Sequence, residues 1–382
     1  MAVTLRWAAS TIAVLALGAC ATVTDTPDAV RTEAFGQTAT GQPVERYSFA
    51  NAAGMRVSAI TYGATLTTVE VPGRSGQRAN VILSLPDIAA YEQTQRRWAS
   101  VIGRYAGRIA DARFTLDGVT YALEAGRNGV TLHSGSDGYD RRVWAATPFH
   151  DVRSSGVVFR LDSRDGDQGF PGHLRLEVTY RLPHRRNELH VEYRARSNTA
   201  TVINPTNHGF FNLAGAGSDS IGSHRVAIAA DRYAETDNRK IPTGRLLPVT
   251  GTALDLQRPT LLAPWLAARD PLLAPSNGFD HSLVLSPAHG TRLAATVDEP
   301  TSGRRLEILT TEPSVQFNSG NGFDGTEVGA EGIAYPRHAG FAIETQHLPD
   351  SPNQPGFPST VLRPGQEFRS LTIYRFSVMS AR

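Results

Sequence analysis

Cysteine is almost absent from this chain. Cys20 is the only one in 382 residues, so no internal disulfide can form and the fold has to be held by packing. An excess of charge of either sign is also lacking, since 38 Lys and Arg face 36 Asp and Glu for a formal net charge of +2. No dense basic run breaks that mixture, so nucleic acid is not an expected partner and a neutral or weakly charged small molecule is. Long helical patterns are missing because 35 Gly and 23 Pro recur too often for them to persist. With 40% hydrophobic and 19% charged residues, the composition excludes a coiled coil, a polytopic membrane protein and a mostly disordered chain. There is no glycine-rich phosphate loop of the right form, no H-E-x-x-H and no cysteine cluster, so neither a cofactor nor a metal is expected.

The one apolar run, Trp7 to Leu17, follows Arg6 and ends in Leu17-Gly18-Ala19-Cys20. It is too short to span a bilayer and is followed by the polar Ala21-Thr22-Val23-Thr24-Asp25, which reads as an export signal over residues 1–19. Small residues directly before a cysteine resemble the bacterial lipobox. That resemblance implies lipidation of Cys20, a polar tether over 20–31, and a periplasmic location with membrane contact through the anchor alone. An ordinary cleaved signal with a coincidental cysteine is the alternative. Ala21, rather than Asp, resembles lipoproteins sent on to an outer membrane.

From about residue 32 to 382 the pattern is strand, turn, strand, without internal repeat or linker. Leu174, Leu176, Val178, Tyr180 and Leu182 alternate with Arg175, Glu177, Thr179 and Arg181. This is the period-two signature of a strand with one buried face. After a turn at His184 to Asn187, Leu189, Val191, Tyr193 and Ala195 alternate with His190, Glu192, Arg194 and Arg196, which predicts a hairpin. Similar runs occupy Arg305 to Thr310 and Leu371 to Val378. Helices are expected only at Ile88 to Gln95 and Thr260 to Ala268, the second interrupted by Pro264. The expected fold is therefore all-β, a single large antiparallel β-sandwich with few short helices.

His173, His184 and His190 are isolated and expected to be solvated. More informative are the histidines in Thr131-Leu132-His133-Ser134-Gly135 and in Asn204-Pro205-Thr206-Asn207-His208-Gly209-Phe210-Phe211-Asn212-Leu213, where Gly and short polar side chains would let a substrate approach the backbone. With Glu344-Thr345-Gln346-His347-Leu348-Pro349-Asp350-Ser351-Pro352-Asn353 and Leu362-Arg363-Pro364-Gly365, these segments resemble the aldose 1-epimerases, or galactose mutarotases. Gly103-Arg104-Tyr105-Ala106-Gly107-Arg108-Ile109, Phe114-Thr115-Leu116-Asp117-Gly118, Ile241-Pro242-Thr243-Gly244, Phe279-Asp280-His281 and Gln316 to Gly325 extend the likeness in order from about residue 35 to 378.

The resemblance implies a β-sandwich with an open sugar cleft and cofactor-free interconversion of the α and β anomers of free aldoses. It makes Glu344 the base and His208 the acid. These were expected on opposite sides of the anomeric centre, the glutamate ionised and the histidine cationic at neutral pH. It places Arg108, His133, Asp280 and Gln316 on the sugar, with Asp280 accepting from two vicinal hydroxyls and Arg108 donating in a fork. An Arg108–Asp280 salt bridge is the structural alternative, and Phe210, Phe279 and Phe317 are expected in the core more than against a sugar face. Three residues depart from the family pattern: Gly107 where many members have Asn, Ser134 within the usual Leu-His-Gly-Gly, and Phe210 where Tyr is frequent. None touches the acid or base, so they bear on substrate preference. Two rival functions are a catalytically silent sugar-binding lipoprotein, which the presence of both Glu344 and His208 opposes, and a mutarotase of phosphorylated hexoses. The second would need clustered cations, but Arg239, Lys240 and Arg245 flank a segment like that of ordinary members.

Overall fold

The computed structural model describes residues 29–380. The export signal, Cys20 and most of the tether lie outside the described residues. The first strand, Arg31–Gln37, opens within the last residue assigned to the tether.

Period-two alternation becomes strand where it was expected. Leu174–Pro183 and Glu188–Ser197 pair antiparallel from Leu174 opposite Ser197 to Arg181 opposite His190. Leu174, Leu176, Val178, Tyr180 and Leu182 are all buried, while Arg175 stands in solvent. Each such side chain contributes about 1.5–3 kcal/mol on burial, so the apolar face fixes the register. This hairpin lies within a nine-stranded sheet, next to Phe368–Val378, which in turn pairs with Arg304–Thr310.

Two five-stranded sheets complete the sandwich. One runs in sequence order from Arg31–Gln37 to Arg78–Asn80. The other is ordered Pro242–Pro248, Ala230–Thr236, Asp280–Leu285, Ser314–Asn318, Ala342–Gln346. All three share one core, in which Phe49, Val57 and Leu66 meet Phe159, Val178 and Tyr180, and Phe279, Val315, Phe317 and Ile343. The third sheet carries the chemistry described below.

Among the described residues, α-helix is confined to two short pieces. Ile88–Gln93 begins at Asp87, whose carboxylate accepts from the Ala90 N–H, and stops two residues before Gln95. At the second, Thr260–Leu261 is strand and Ala263–Ala267 is helix. Pro264 opens this helix instead of interrupting it, because a proline in the first turn lacks only an N–H that the turn leaves unused. His173, His184 and His190 are not free as expected: His173 meets Asp162, His190 meets Glu188, and His184 lies 2.9 Å from the Asp151 carbonyl.

Among the described residues one cation is wholly buried. Arg104 donates to the Tyr139 hydroxyl, the Pro171 carbonyl, the Thr201 hydroxyl and the Ser163 hydroxyl, and Ser163 passes a 2.5 Å bond to Asp167. This network fixes the start of the segment that ends at Arg108. Arg104→Met leaves those acceptors unpaired and should cost about 3 kcal/mol in urea unfolding. A loss below about 1 kcal/mol would mean that water replaces the guanidinium.

Candidate active site

Three adjacent strands of the third sheet bring polar side chains onto one face. Ser282 stands opposite Gln316, and Gln316 opposite Glu344; one step along, Asp280 stands opposite Asn318. Alternation sends Phe317 and Ile343 to the core on the reverse face. Gln316 joins the two rows, accepting from the Ser282 hydroxyl at 2.5 Å and donating to Asp280 Oδ1 at 2.8 Å.

His208 arrives from outside this sheet. Thr206–Asn207 pairs with Val101–Ile102, and the Thr206 hydroxyl donates to the Thr345 carbonyl, so this short strand lies against the edge strand that bears Glu344. His208 Nε2 then lies 3.4 Å from Glu344 Oε1, both side chains being buried. The two groups expected to act as acid and base are thus direct neighbours.

Arg108 and His133 are brought in by a second two-stranded pairing, in which Leu132 stands opposite Arg108. The His133 ring packs edge-on against His208 at 5.4 Å. Its Nδ1 accepts from the Gly107 N–H at 3.2 Å, which leaves the proton of the neutral ring on Nε2. The departures from the family pattern fall here. Gly107 has φ +80, and a Cβ added to it would stand 3.2 Å from Pro349, so a side chain here would crowd the loop. Ser134 adopts φ +66, which a glycine takes more readily, and its hydroxyl bonds both the N–H and the carbonyl of Tyr105. Phe210 packs on the His208 ring at 5.1 Å and on Trp98 and Phe323, so it braces the imidazole from the apolar side. Phe279 and Phe317 are core residues, 4.9 Å apart.

Burial dominates the electrostatics. It pushes Glu344 up to about 8, with the Asp280 charge adding and Arg108 opposing. It pulls His208 down to about 4, and it takes His133 well below the usual histidine range with help from His208, Arg97 and Arg108. Asp280 goes the other way: burial opposes its charge, but Arg108, Lys240 and the hydrogen bonds of Lys240 and Gln316 hold it at about 2. Burial thus disfavours both the ionised glutamate and the cationic histidine expected at neutral pH, and a single proton shared between the two groups satisfies both pushes.

All six expected side chains, Arg108, His133, His208, Asp280, Gln316 and Glu344, thus belong to one electrostatic and hydrogen-bonded cluster. The ion pair to Asp280 is not made by Arg108, whose charge acts on it from beyond ion-pair distance; Lys240 makes it, Nζ to Oδ2 at 2.6 Å. Asp280 Oδ1 is already occupied by Gln316 and, at 3.3 Å, Asn318, so this carboxylate cannot take a hydroxyl on each oxygen as expected. Lys240 was weighed in the sequence only among the cations of a phosphate reader, and Asn318 and Arg97 escaped it; Arg97 pairs with buried Asp140 at 3.0 Å, and its charge bears on both imidazoles. Only the alternation placing Asn318 two residues from Gln316 could have signalled any of them.

Residues 45–375 match the family model described as aldose 1-epimerase. The chain is 44% identical to the galactose mutarotase of Rattus norvegicus over 324 residues, covering 85% of this chain and 92% of the relative. It is 38% identical to the aldose 1-epimerase of Escherichia coli K12 over 340 residues, 88% and 96% of the two chains. Among solved structures, galactose 1-epimerase from Lactobacillus acidophilus superposes with a TM-score of 0.81 at 25% identity, covering 93% of this chain and 100% of the other.

The raised carboxyl makes stability depend on pH. Folded Glu344 keeps its proton up to about 8, whereas in the unfolded chain it is released near 4.5, so its contribution to stability is complete below 4.5 and is lost as pH rises to about 8. Glu344→Gln cannot ionise and escapes that loss. In urea unfolding the variant should gain on the wild type by about 1 kcal/mol or more between roughly pH 5.5 and pH 8. Parallel stability curves would show Glu344 to be ionised throughout.

Proposed function

The chain belongs to the aldose 1-epimerase family, and on that footing we propose that Glu344 and His208 exchange protons with the anomeric hydroxyl and the ring oxygen of a free aldose. The protein is an isomerase, a mutarotase interconverting the α and β anomers of free aldohexoses such as glucose and galactose. The observation that carries the site assignment is the 3.4 Å approach of His208 Nε2 to Glu344 Oε1 inside the polar cluster.

Binding of the sugar places a hydroxyl donor against Glu344 and an ether oxygen acceptor against His208. Both contacts favour moving the shared proton from carboxyl to imidazole. Glu344 then takes the proton of the anomeric hydroxyl while His208 gives its own to the ring oxygen. The bond between the anomeric carbon and the ring oxygen breaks, and the carbonyl of the open-chain aldehyde forms. Rotation about the adjacent carbon–carbon bond turns the other carbonyl face to the hydroxyl, and closure returns each proton to its source. Protons and electrons balance across the two side chains. Arg108, His133, Asp280 and Gln316 hold the sugar hydroxyls, a role supported by their place around the pair.

Polarimetry of freshly dissolved α-glucose and α-galactose tests this reading. Glu344→Gln and His208→Asn should each slow mutarotation by about 10²- to 10⁴-fold with the fold intact. The wild-type kcat/KM should be flat between about 4 and about 8, where the pair holds one proton, and fall on either side. Near wild-type rates in either variant would overturn the assignment, and a wild type that does not outpace buffer would point to the silent binder.

We also propose that the protein is exported and anchored by lipid at Cys20, on the strength of the Leu17-Gly18-Ala19-Cys20 segment. Two or more acyl chains hold a soluble domain stably where one is marginal. The protein should therefore fractionate with membranes, and Cys20→Ser should release it. A soluble wild-type protein whose mass lacks acyl groups would overturn the anchor and leave the catalytic reading untouched.

A further inference from the structure

Lys240 is the sole lysine in 382 residues; every other basic side chain of the chain's 38 Lys and Arg is an arginine. Its ammonium lies 2.6 Å from Asp280 Oδ2, inside the polar cluster, and its side chain is 34% exposed, so it stands where the cluster meets solvent. The turn that presents it is firmly built. Asp237 closes the turn with its backbone, bonding Lys240 and Ile241, and its carboxylate accepts from the N–H groups of Arg239 and Ile241. Arg239 ties the turn to Asp237 and, at 2.9 Å, to Asp111, three residues beyond Arg108. Lys240 itself takes φ +62, uncommon for a residue with a side chain.

Counting donors and acceptors shows what this corner can still bind. A carboxylate oxygen accepts two hydrogen bonds and an ammonium donates three. Asp280 Oδ1 has both places filled, by Gln316 and Asn318, and Oδ2 has one filled, by Lys240. One acceptor place therefore remains on Oδ2, and two donors remain on Nζ beside it. A compact ammonium suits such a corner, where the flat fork of an arginine would take both edges of the carboxylate.

We propose that Lys240 is a sugar-binding, specificity-determining residue of this site, which with Asp280 reads a vicinal pair of sugar hydroxyls, one donating to Oδ2 and its neighbour accepting from Nζ. The inference rests on the mutarotase reading of the same cleft and adds a subsite to it. The substrate class it selects is a pyranose with adjacent hydroxyls, and a sugar lacking either hydroxyl loses the contact.

Lys240→Met keeps the length of the side chain and removes its donors. Kinetics on the parent hexose and on its monodeoxy derivatives read the effect. KM for the parent should rise by about 10-fold or more, as for loss of a hydrogen bond to a charged group, with kcat changing less than about threefold. For the one deoxy sugar that lacks the hydroxyl held by Nζ, variant and wild type should have the same KM. An unchanged KM for the parent, or an equal penalty for every deoxy sugar, would overturn the proposal, the second because a merely structural lysine would act that way. Incorporation of lysine labelled with ¹³C at Cε gives an independent reading, since Lys240 then supplies the only labelled lysine signal and its ammonium keeps all three donors. That signal should shift on titration with the hexose, and a signal that stays in place would also overturn the proposal. A wild type that moves the signal without accelerating mutarotation would sink the catalytic reading while leaving Lys240 as a sugar ligand. Mutarotation with no effect of Lys240→Met would do the reverse.

Discussion

Removal of water from a carboxyl and an imidazole that face each other is the constraint on which this structure turns. Neither Glu344 nor His208 is exposed, and each is pushed toward its uncharged form. In water such groups would be an ordinary weak acid and weak base. Here a carboxylate, once formed, is unusually eager for a proton and an imidazolium unusually ready to give one up, which is what general acid–base exchange with a poorly acidic hydroxyl and a poorly basic ether demands. The surrounding features follow from it. Phe210 excludes water behind the imidazole, the core behind Phe317 and Ile343 does so behind the sheet, and the charges of Arg108 and Lys240 keep Asp280 ionised within the same cluster.

The fold was legible because its signal is local. Alternation along 174–182 and 189–195 is set by burial of one strand face, and the strands formed in the expected register. The helix ends were less legible, since whether Pro264 interrupts or opens a helix depends on where the turn begins, which the neighbouring strand pairing decides. The residues that gather in the polar cluster were singled out through motif resemblance and not through pattern: nothing in the sequence alone separates Glu344 from a solvated strand carboxylate. What remained hidden was set by contacts across long stretches of chain. Lys240 meets Asp280 forty residues away, and Arg97 meets Asp140 beside two histidines from other segments. The electrostatic shifts were hidden for the same reason, because the ordinary acidity of a side chain belongs to a group in water.

The departures from the family pattern read differently once placed. Ser134 is a local solution to a left-handed backbone position, its hydroxyl holding Tyr105, and it alters the frame more than the sugar surface. Phe210 faces the imidazole and neighbouring rings, so the hydroxyl of a tyrosine there would need a partner among Trp98 and Phe323. Gly107 is the departure that removes a side chain close to His133 and Gln346. Of the three departures, the one at Gly107 thus acts by subtraction, while the cations beside Asp280 and the two imidazoles set the electrostatic character of the cleft.

Glu344 lies on Ala342–Gln346, the outermost strand of its sheet, and His208 directly follows the short segment that covers that edge through Thr206. Folded proteins open locally in cooperative units, and a strand and its cover can part as one such unit. Opening here separates the two halves of the proton exchange and floods both with water in one motion, so each reverts to an ordinary surface group. A partly frayed molecule is therefore idle and not a leaky catalyst: the same seam that assembles the chemistry acts as its circuit breaker.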